Sequence, residues 1–133
     1  MTVVWSAVQV RIARPTDQLD EVVRFYRDGL GLAVIASFQG HAGYDGVMLG
    51  LPGRNYHLEF ISHADGSPCP APTHDNLLVL YIPDKAAIDA LVARLGAMGY
   101  TPVPPENPYW EQHGITIPDP DGWRVVLMNT DGL

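Results

Sequence analysis

Apolar residues recur at spacings of three and four in two stretches of the chain, and each stretch predicts a helix with one buried face. In the first stretch, Thr16 or Asp17 can cap the helix and Gly31 ends it. In the second, Asp84 is the capping residue and Gly99 ends the helix. The predicted buried faces consist of Leu19, Val22, Val23, Tyr26 and Leu30 in the first helix, and of Ile88, Leu91, Val92, Leu95 and Met98 in the second.

Short apolar or alternating runs predict eight strands around these helices, because such runs are typical of strands with one or both faces buried. One strand precedes each helix and three follow it. Turn residues mark the last hairpin of each half, with Pro52-Gly53 in the first and the sequence DPDG at 119–122 in the second. The predicted strands lie near 8–13, 32–38, 44–51 and 55–62 in the first half, and near 77–82, 100–103, 113–118 and 123–128 in the second.

The two halves repeat each other at a shift of 68 residues. Both consist of a strand, a helix and three strands, and a unit of this size must pack against its twin to bury a core. The residues that coincide at this shift are Pro15 with Pro83, Gly31 with Gly99, Gly46 with Gly114 and Pro52 with Pro120.

The pattern predicts an α+β fold of two tandem βαβββ repeats, with a curled mixed sheet around a central cleft and the helices outside. We expect a single domain over residues 1–133, with repeats at 8–62 and 77–128 joined by a proline-rich linker at 64–75. A longer open sheet is the alternative arrangement. The cleft between the repeats is the natural place for a ligand.

Composition narrows the functional classes. The formal net charge of −7 disfavours nucleic acid as a partner, because phosphate binding needs clustered lysine and arginine. No stretch approaches the length of a membrane span, and the N-terminus lacks the pattern of a signal peptide. The lone Cys69 excludes an intrachain disulfide, and we interpret it as an incidental loop thiol. We therefore expect a cytoplasmic protein that binds neither nucleic acid nor membranes.

Three short motifs resemble those of the vicinal oxygen chelate superfamily, which includes glyoxalase I, bleomycin-resistance proteins and extradiol dioxygenases. They are FYRDGLGL at 25–32, HLEF at 57–60 and DPDG at 119–122. Their order and spacing extend the resemblance over nearly the whole chain. It implies the same duplicated fold, but the superfamily has many functions, so it leaves the reaction open.

Metal-dependent members of this superfamily use four ligands, one from the first and one from the last strand of each repeat. The resemblance places Gln9 and Glu59 at two of these positions, and Leu77 and Val126 at the other two. Leucine and valine have no donor atom, so we expect neither the usual metal centre nor a resident cofactor. A divalent metal held by a different set that includes His57 is the alternative.

Alternation along the strands predicts which side chains face the cleft, because successive residues point to opposite faces of a sheet. One predicted wall is polar and the other mostly apolar, which suits an amphipathic organic ligand better than a bare ion. The polar wall consists of Gln9, Arg11, His57 and Glu59, and the other wall of Leu77, Val79, Tyr81, Arg124, Val126 and Met128. The same alternation places Val8, Val10 and Ile12 in the core.

Three of the polar residues have structural alternatives. Arg11 and Glu59 can form an ion pair between adjacent strands rather than contact a ligand. His57 can be a buried histidine whose hydrogen bonds are satisfied.

The segment NPYWEQHG at 107–114 is a second candidate for ligand contact. Tyr109 and Trp110 can stack on a ligand, and His113 can add a polar contact. The alternative is a hydrophobic plug that closes one end of the core.

We predict a protein that binds a small organic ligand in the inter-repeat cleft, either like bleomycin-resistance proteins or with an unassigned activity. The alternative is a metal-dependent glyoxalase, lyase or dioxygenase-like enzyme that uses Glu59, so enzymatic activity stays open. A third alternative is a structural or regulatory protein whose cleft is filled by its own side chains. The resemblance and exposed sheet edges predict a homodimer. The candidate catalytic residues are Glu59 and His57, and the candidate ligand-binding residues are Gln9, Arg11, Tyr81, Tyr109, Trp110, His113 and Arg124.

Overall fold

The computed structural model describes residues 6–51 and 53–133. Two sequence expectations concern positions outside these residues: the start of the N-terminus at 1–5, and Pro52 in the predicted turn and repeat match. The predicted α+β fold of two repeats is confirmed. Within the described part of the chain, no helix has the length and hydropathy needed to cross a membrane.

Each repeat begins with a strand and a helix, and further strands follow. The first repeat contains β1 (Val10–Pro15), α1 (Leu19–Val23), a π-helical continuation of α1 (Arg24–Gly29), β2 (Ala33–His41), β3 (Tyr44–Gly50) and β4 (Tyr56–His63). The second repeat contains β5 (Leu77–Tyr81), α2 (Lys85–Ala97), a 3-10 turn (Pro108–Trp110), β6 (Gly114–Pro118) and β7 (Arg124–Met128).

The strands form two mixed sheets with the orders β1-β4-β3-β2 and β5-β7-β6. In each repeat the first strand pairs in parallel with the last, and the other pairs are antiparallel. The first strand of each repeat therefore lies at an edge of its sheet. This position makes β1 and β5 candidates for the borders of the predicted cleft.

The strand predicted near 100–103 is wrong. Only Val103 pairs there, in a single bridge with Thr116 of β6. Pro102, Pro104 and Pro105 surround it, and proline lacks the N–H that a continuous ladder needs. The second sheet therefore has one strand fewer than the first.

The helix ends match the sequence pattern in three of four cases. Asp84 caps α2, because its side chain accepts a hydrogen bond from the N–H of Ala86 at 3.0 Å. Gly31 and Gly99 follow the two helical segments with φ angles of 81° and 98°, a conformation that favours glycine. The predicted cap by Thr16 or Asp17 is wrong, since α1 begins at Leu19 and has no side-chain cap.

One hydrophobic core is built from both repeats. It includes most of the predicted helix faces and the inner residues of the sheets, with Phe25, Leu49, Leu95, Ile117 and Leu127 fully buried. The expectation for Val8, Val10 and Ile12 is wrong, because all three are exposed. They lie on or just before the edge strand β1, whereas α1 packs against β4.

Candidate functional site

Buried charges join the two repeats. Arg14, at the end of β1, donates to the carboxylate of Asp119 at 2.6 Å and to that of Asp121 at 2.8 Å. The hydroxyl of Tyr26 donates to the same Asp119 oxygen at 2.8 Å. This guanidinium also lies over the rings of Phe60 and Trp123, with centroid distances of 5.0 and 5.1 Å.

The predicted 119–122 turn holds the acceptor of this cluster in place. The second carboxylate oxygen of Asp119 accepts from the N–H groups of Asp121 and Trp123 at 2.8 and 3.0 Å. Burial raises the pKa of Asp119, and the nearby Arg14 offsets only part of that effect. Burial and the carboxylate of Asp119 together raise the pKa of Tyr26 well above its usual value.

A cavity of about 310 Å³ lies beside this cluster, between the edge strands β1 and β5. We call it the seam cavity. Both repeats and the linker line it, mainly with apolar side chains. Its lining includes Ile12, Leu58 and Phe60 from the first repeat, Leu77, Leu78 and Trp123 from the second, and Cys69 from the linker, together with the two cationic residues Arg14 and Arg124.

Arg124 differs from Arg14 in its partners. The residue is 9% exposed, and one guanidinium nitrogen donates to the carbonyl oxygen of Pro104 at 3.1 Å. Within residues 6–51 and 53–133, no carboxylate lies within ion-pair distance of it. Arg124 is thus a buried arginine that contributes to the lining of the seam cavity and has no carboxylate partner among these residues.

Three of the predicted cleft residues lie together on the first sheet. The Nε of Arg11 donates to Nε2 of His57 at 2.9 Å, and its Nη1 lies 3.9 Å from the carboxylate of Glu59. Because Nε2 of His57 accepts, this geometry corresponds to a neutral imidazole with its proton on Nδ1. That Nδ1 is buried and has no hydrogen-bond partner among the described residues. The ion pair proposed as an alternative for Arg11 and Glu59 is therefore present, at a long distance.

Two of the four positions implied for a metal carry no donor atom. Leu77 lines the seam cavity and Val126 is fully buried, so the second sheet offers no donor there. Glu59 and His57 both face the guanidinium of Arg11, which competes with a cation. Among the described residues, no group of three or more His, Cys, Asp and Glu side chains converges in a way that could hold a metal.

The 107–114 segment covers the second sheet. The side chain of Asn107 accepts from the N–H of Tyr109 at 3.0 Å and starts the 3-10 turn. Tyr109 and Trp110 stack edge to face at 4.9 Å. A Cβ on Gly114 would meet the Trp110 carbonyl oxygen and the Met128 sulfur, so this segment packs directly on β6 and β7.

A second cavity of about 280 Å³ brings together three further predicted residues. Tyr81, Tyr109 and His113 line it with Met128 and the C-terminal Leu133. The predicted ligand residues therefore fall into separate groups: Arg11 on the first sheet, these three at the C-terminal end, and Arg124 in the seam. Gln9 is exposed just before β1.

Sequence reasoning missed Arg14, Tyr26, Asp119 and Trp123 as site residues. Because residues alternate between the two faces of a strand, Arg14 lies on the opposite face of β1 from Arg11. This alternation is the sequence signal that could have indicated different environments for the two arginines. The 119–122 motif predicts Asp119 as a turn residue, but it gives no sign of the partner that lies 105 positions earlier.

Two family models match the chain. Residues 10–61 match the YycE-like N-terminal domain, and residues 75–129 match the YycE-like C-terminal domain. The uncharacterised protein YycE of Bacillus subtilis (strain 168) is 54% identical over 129 residues, which cover 97% of this chain and 93% of that protein. A crystal structure of a YycE protein from Bacillus subtilis, of unknown function and suggested to be a glyoxalase or fosfomycin resistance protein, aligns with a TM-score of 0.93 at 53% identity. That alignment covers 97% of this chain and 94% of the other.

More distant solved structures share the fold. The trypanothione-dependent glyoxalase I of Leishmania major aligns with a TM-score of 0.72 at 20% identity, covering 93% of this chain and 87% of that chain. An antibiotic-binding protein from a Streptomyces species aligns with a TM-score of 0.65 at 23% identity, covering 96% and 98%. This chain therefore belongs to the YycE-like family and has the fold of the vicinal oxygen chelate superfamily.

Proposed function

We propose that this protein binds a small organic molecule in the seam cavity. The observation that carries the proposal is the cavity itself, which both repeats line and whose volume of about 310 Å³ lies in the range of small-molecule sites. Its lining combines apolar and aromatic side chains with two arginines, which suits an amphipathic organic ligand. An antibiotic-binding protein with the same fold supports small-molecule binding as a use of this scaffold.

The experiment uses the single cysteine as a reporter of the cavity. Cys69 is the only thiol of the chain, is half-buried and lines the seam cavity. Small organic molecules are first screened for a rise in melting temperature, because a ligand of the native state stabilises it. Each hit is then tested for slower reaction of Cys69 with dithiodipyridine, a neutral thiol reagent.

A matched pair of variants separates this cavity from other binding sites. Ala13 lines the seam cavity, and Ala36 is an exposed alanine of the same sheet that does not. Ala13→Phe is expected to fill the cavity and abolish both effects, while Ala36→Phe keeps them. Hits that raise the melting temperature but leave the Cys69 rate unchanged, in the wild type, would contradict the proposal and favour the cavity at Tyr81 and Tyr109 instead.

The contact between Arg11, His57 and Glu59 favours a second candidate function, proton transfer on the first sheet. Glu59 would act as the base and His57 as a neutral hydrogen-bonding partner, with Arg11 orienting both. Turnover of a hit ligand that is lost in Glu59→Gln, with the melting temperature kept, would support this role. If Glu59→Gln keeps both turnover and binding, Glu59 has only a structural role, as the partner of Arg11 in an ion pair.

The assembly and location of the protein are part of the same proposal. A homodimer is supported by the exposed apolar residues Val8 and Val10 on and just before the edge strand β1, neither of which lines the seam cavity. A cytoplasmic location is supported by the single, unpaired cysteine.

A further inference from the structure

We infer that the ligand of the seam cavity is an organic acid, with one anionic group bound by Arg124 and an apolar body in the rest of the cavity. This inference rests on the proposed function and names the chemical class of its ligand. It begins from Arg124, which is 9% exposed and lines the cavity.

Two arginines line the cavity, and their guanidinium groups have contrasting partners. Arg14 is held by the two carboxylates of Asp119 and Asp121, at 2.6 and 2.8 Å. Arg124 has one bond to a carbonyl oxygen, and none of the described carboxylates lies within 4.0 Å of it. Buried charges in proteins are normally paired, because an isolated charge loses its hydration on burial. The fold therefore pairs Arg14 with two carboxylates, while Arg124 has only a carbonyl partner among the described residues and is available to an anion.

The other residues that line the cavity indicate the chemistry of the ligand apart from its anionic group. Among residues 6–51 and 53–133, no acidic side chain lines the seam cavity, and the apolar lining includes Ile12, Leu58, Phe60 and Leu78. A guanidinium presents a planar set of donors that matches a carboxylate with two parallel hydrogen bonds. A hydrophobic acid complements both Arg124 and the apolar lining, whereas a cation would meet Arg124 and find no acidic partner among the described lining residues.

The overall charge of the protein does not attract such a ligand. The formal net charge is −7, so long-range electrostatics repel an anion. Selection of an acid over a neutral analogue must therefore come from short-range contact with Arg124. This makes the selectivity a local property that one substitution can remove.

The test compares acids with their neutral amides on the intact protein. Phenylacetate, phenylpropionate and phenylbutyrate are each paired with the corresponding amide, and protection of Cys69 from dithiodipyridine gives the affinity. We expect at least one acid to bind on the order of 10- to 100-fold more tightly than its amide, the range given by a hydrogen bond to a charged group. The wild-type comparison requires no variant to fold.

Substitutions then assign the effect to Arg124. Arg124→Gln is expected to make acid and amide equal, and Arg124→Lys to keep part of the preference. Arg94→Gln is the matched control, because Arg94 also donates to a backbone carbonyl, that of Gly29, but does not line the cavity. It should keep the full preference.

The possible outcomes separate this inference from the proposed function. Equal protection by acids and amides, or cavity ligands from the wider screen that are all neutral or cationic, would overturn the inference while the binding function stands. A preference for acids that persists in Arg124→Gln would also overturn it. Absence of any Cys69-protecting ligand in both the acid panel and the screen would remove the proposed function as well.

Discussion

The guanidinium of Arg14 and the carboxylate of Asp119 lie 2.6 Å apart and connect the first repeat to the turn between β6 and β7 of the second. Their side chains are 11% and 0% exposed. Since Asp119 also accepts from Tyr26 and from two backbone N–H groups, its charge is held by a complete set of donors. This pair fixes the relative position of the repeats next to the seam cavity.

Removing Arg14 is expected to destabilise the protein strongly. Arg14→Met leaves Asp119 buried without its charged partner, which typically costs about 3–5 kcal/mol of unfolding free energy. Urea unfolding measures the change. Arg27→Met is the control, because Arg27 forms an ion pair with Asp28 of similar length that is half exposed, and no measurable change is expected there. Equal stability of Arg14→Met and wild type would refute this account of the repeat boundary.

Stability is expected to fall in alkaline solution because of Tyr26. Burial and Asp119 raise the pKa of Tyr26 above its usual value of 10.0, so the folded state holds the phenol proton more tightly than the unfolded state. The resulting stabilisation is complete below pH 10 and is lost as the pH rises further. Urea unfolding between pH 9 and 11, values chosen to bracket roughly the ordinary tyrosine pKa, should show this slope. This decrease of the unfolding free energy with pH should be smaller in Tyr26→Phe and unchanged in Tyr109→Phe, which alters an exposed tyrosine.

Two glycines give opposite predictions for substitution by alanine. Gly114→Ala would place a Cβ against the Trp110 carbonyl oxygen and the Met128 sulfur, and such overpacking typically costs about 1–3 kcal/mol. Gly96, in α2, has open space at its Cβ position, and alanine there should stabilise the helix by about 0.5–1 kcal/mol. Thermal unfolding of the two variants tests the packing of the 107–114 segment on the second sheet. A Gly114→Ala variant as stable as the wild type would show that the 107–114 segment does not pack closely on β6.

The protein is expected to purify without a stoichiometric divalent metal. Only Glu59 and Gln9 of the four implied ligand positions carry donor atoms, and Arg11 lies beside Glu59. Elemental analysis after mild purification measures the content, and added Zn²⁺, Ni²⁺ or Mn²⁺ should not raise the melting temperature. A tightly held equivalent of metal that disappears in Glu59→Gln would instead favour the metal-dependent enzyme.

The proposed homodimer should depend on the β1 edge. Val10 and Val34 are exposed to similar extents, 53% and 45%, on the edge strands β1 and β2 at opposite sides of the first sheet. Val10→Glu is expected to shift sedimentation from dimer toward monomer, because a charge in an apolar interface loses its hydration. Val34→Glu should leave the dimer intact. A wild-type protein that sediments as a monomer at micromolar concentration would refute the proposal.

The sequence predicted the duplicated scaffold well because its signals are local. Helix faces such as Val22 and Tyr26, the Asp84 cap, the turn at 119–122 and the helix-ending Gly31 and Gly99 each depend on residues a few positions apart. The prediction of a 100–103 strand is wrong because the prolines around Val103 limit the pairing there to a single bridge. Alternation also predicted that Arg11, His57 and Glu59 share a face, although their functional roles stay predictions.

The residue pattern along the chain is enough to predict the two repeats, the order of their elements and the lack of donor atoms at Leu77 and Val126. Which charges meet depends on three-dimensional packing: Arg14 pairs with Asp119, 105 positions later, while Arg124 is buried beside the seam cavity with no carboxylate partner among the described residues. Periodicity records the environment of a residue within its own helix or strand. Pairing across the boundary between repeats depends on how the sheets and the 64–75 linker bring distant segments together, and a pattern along the chain does not encode that.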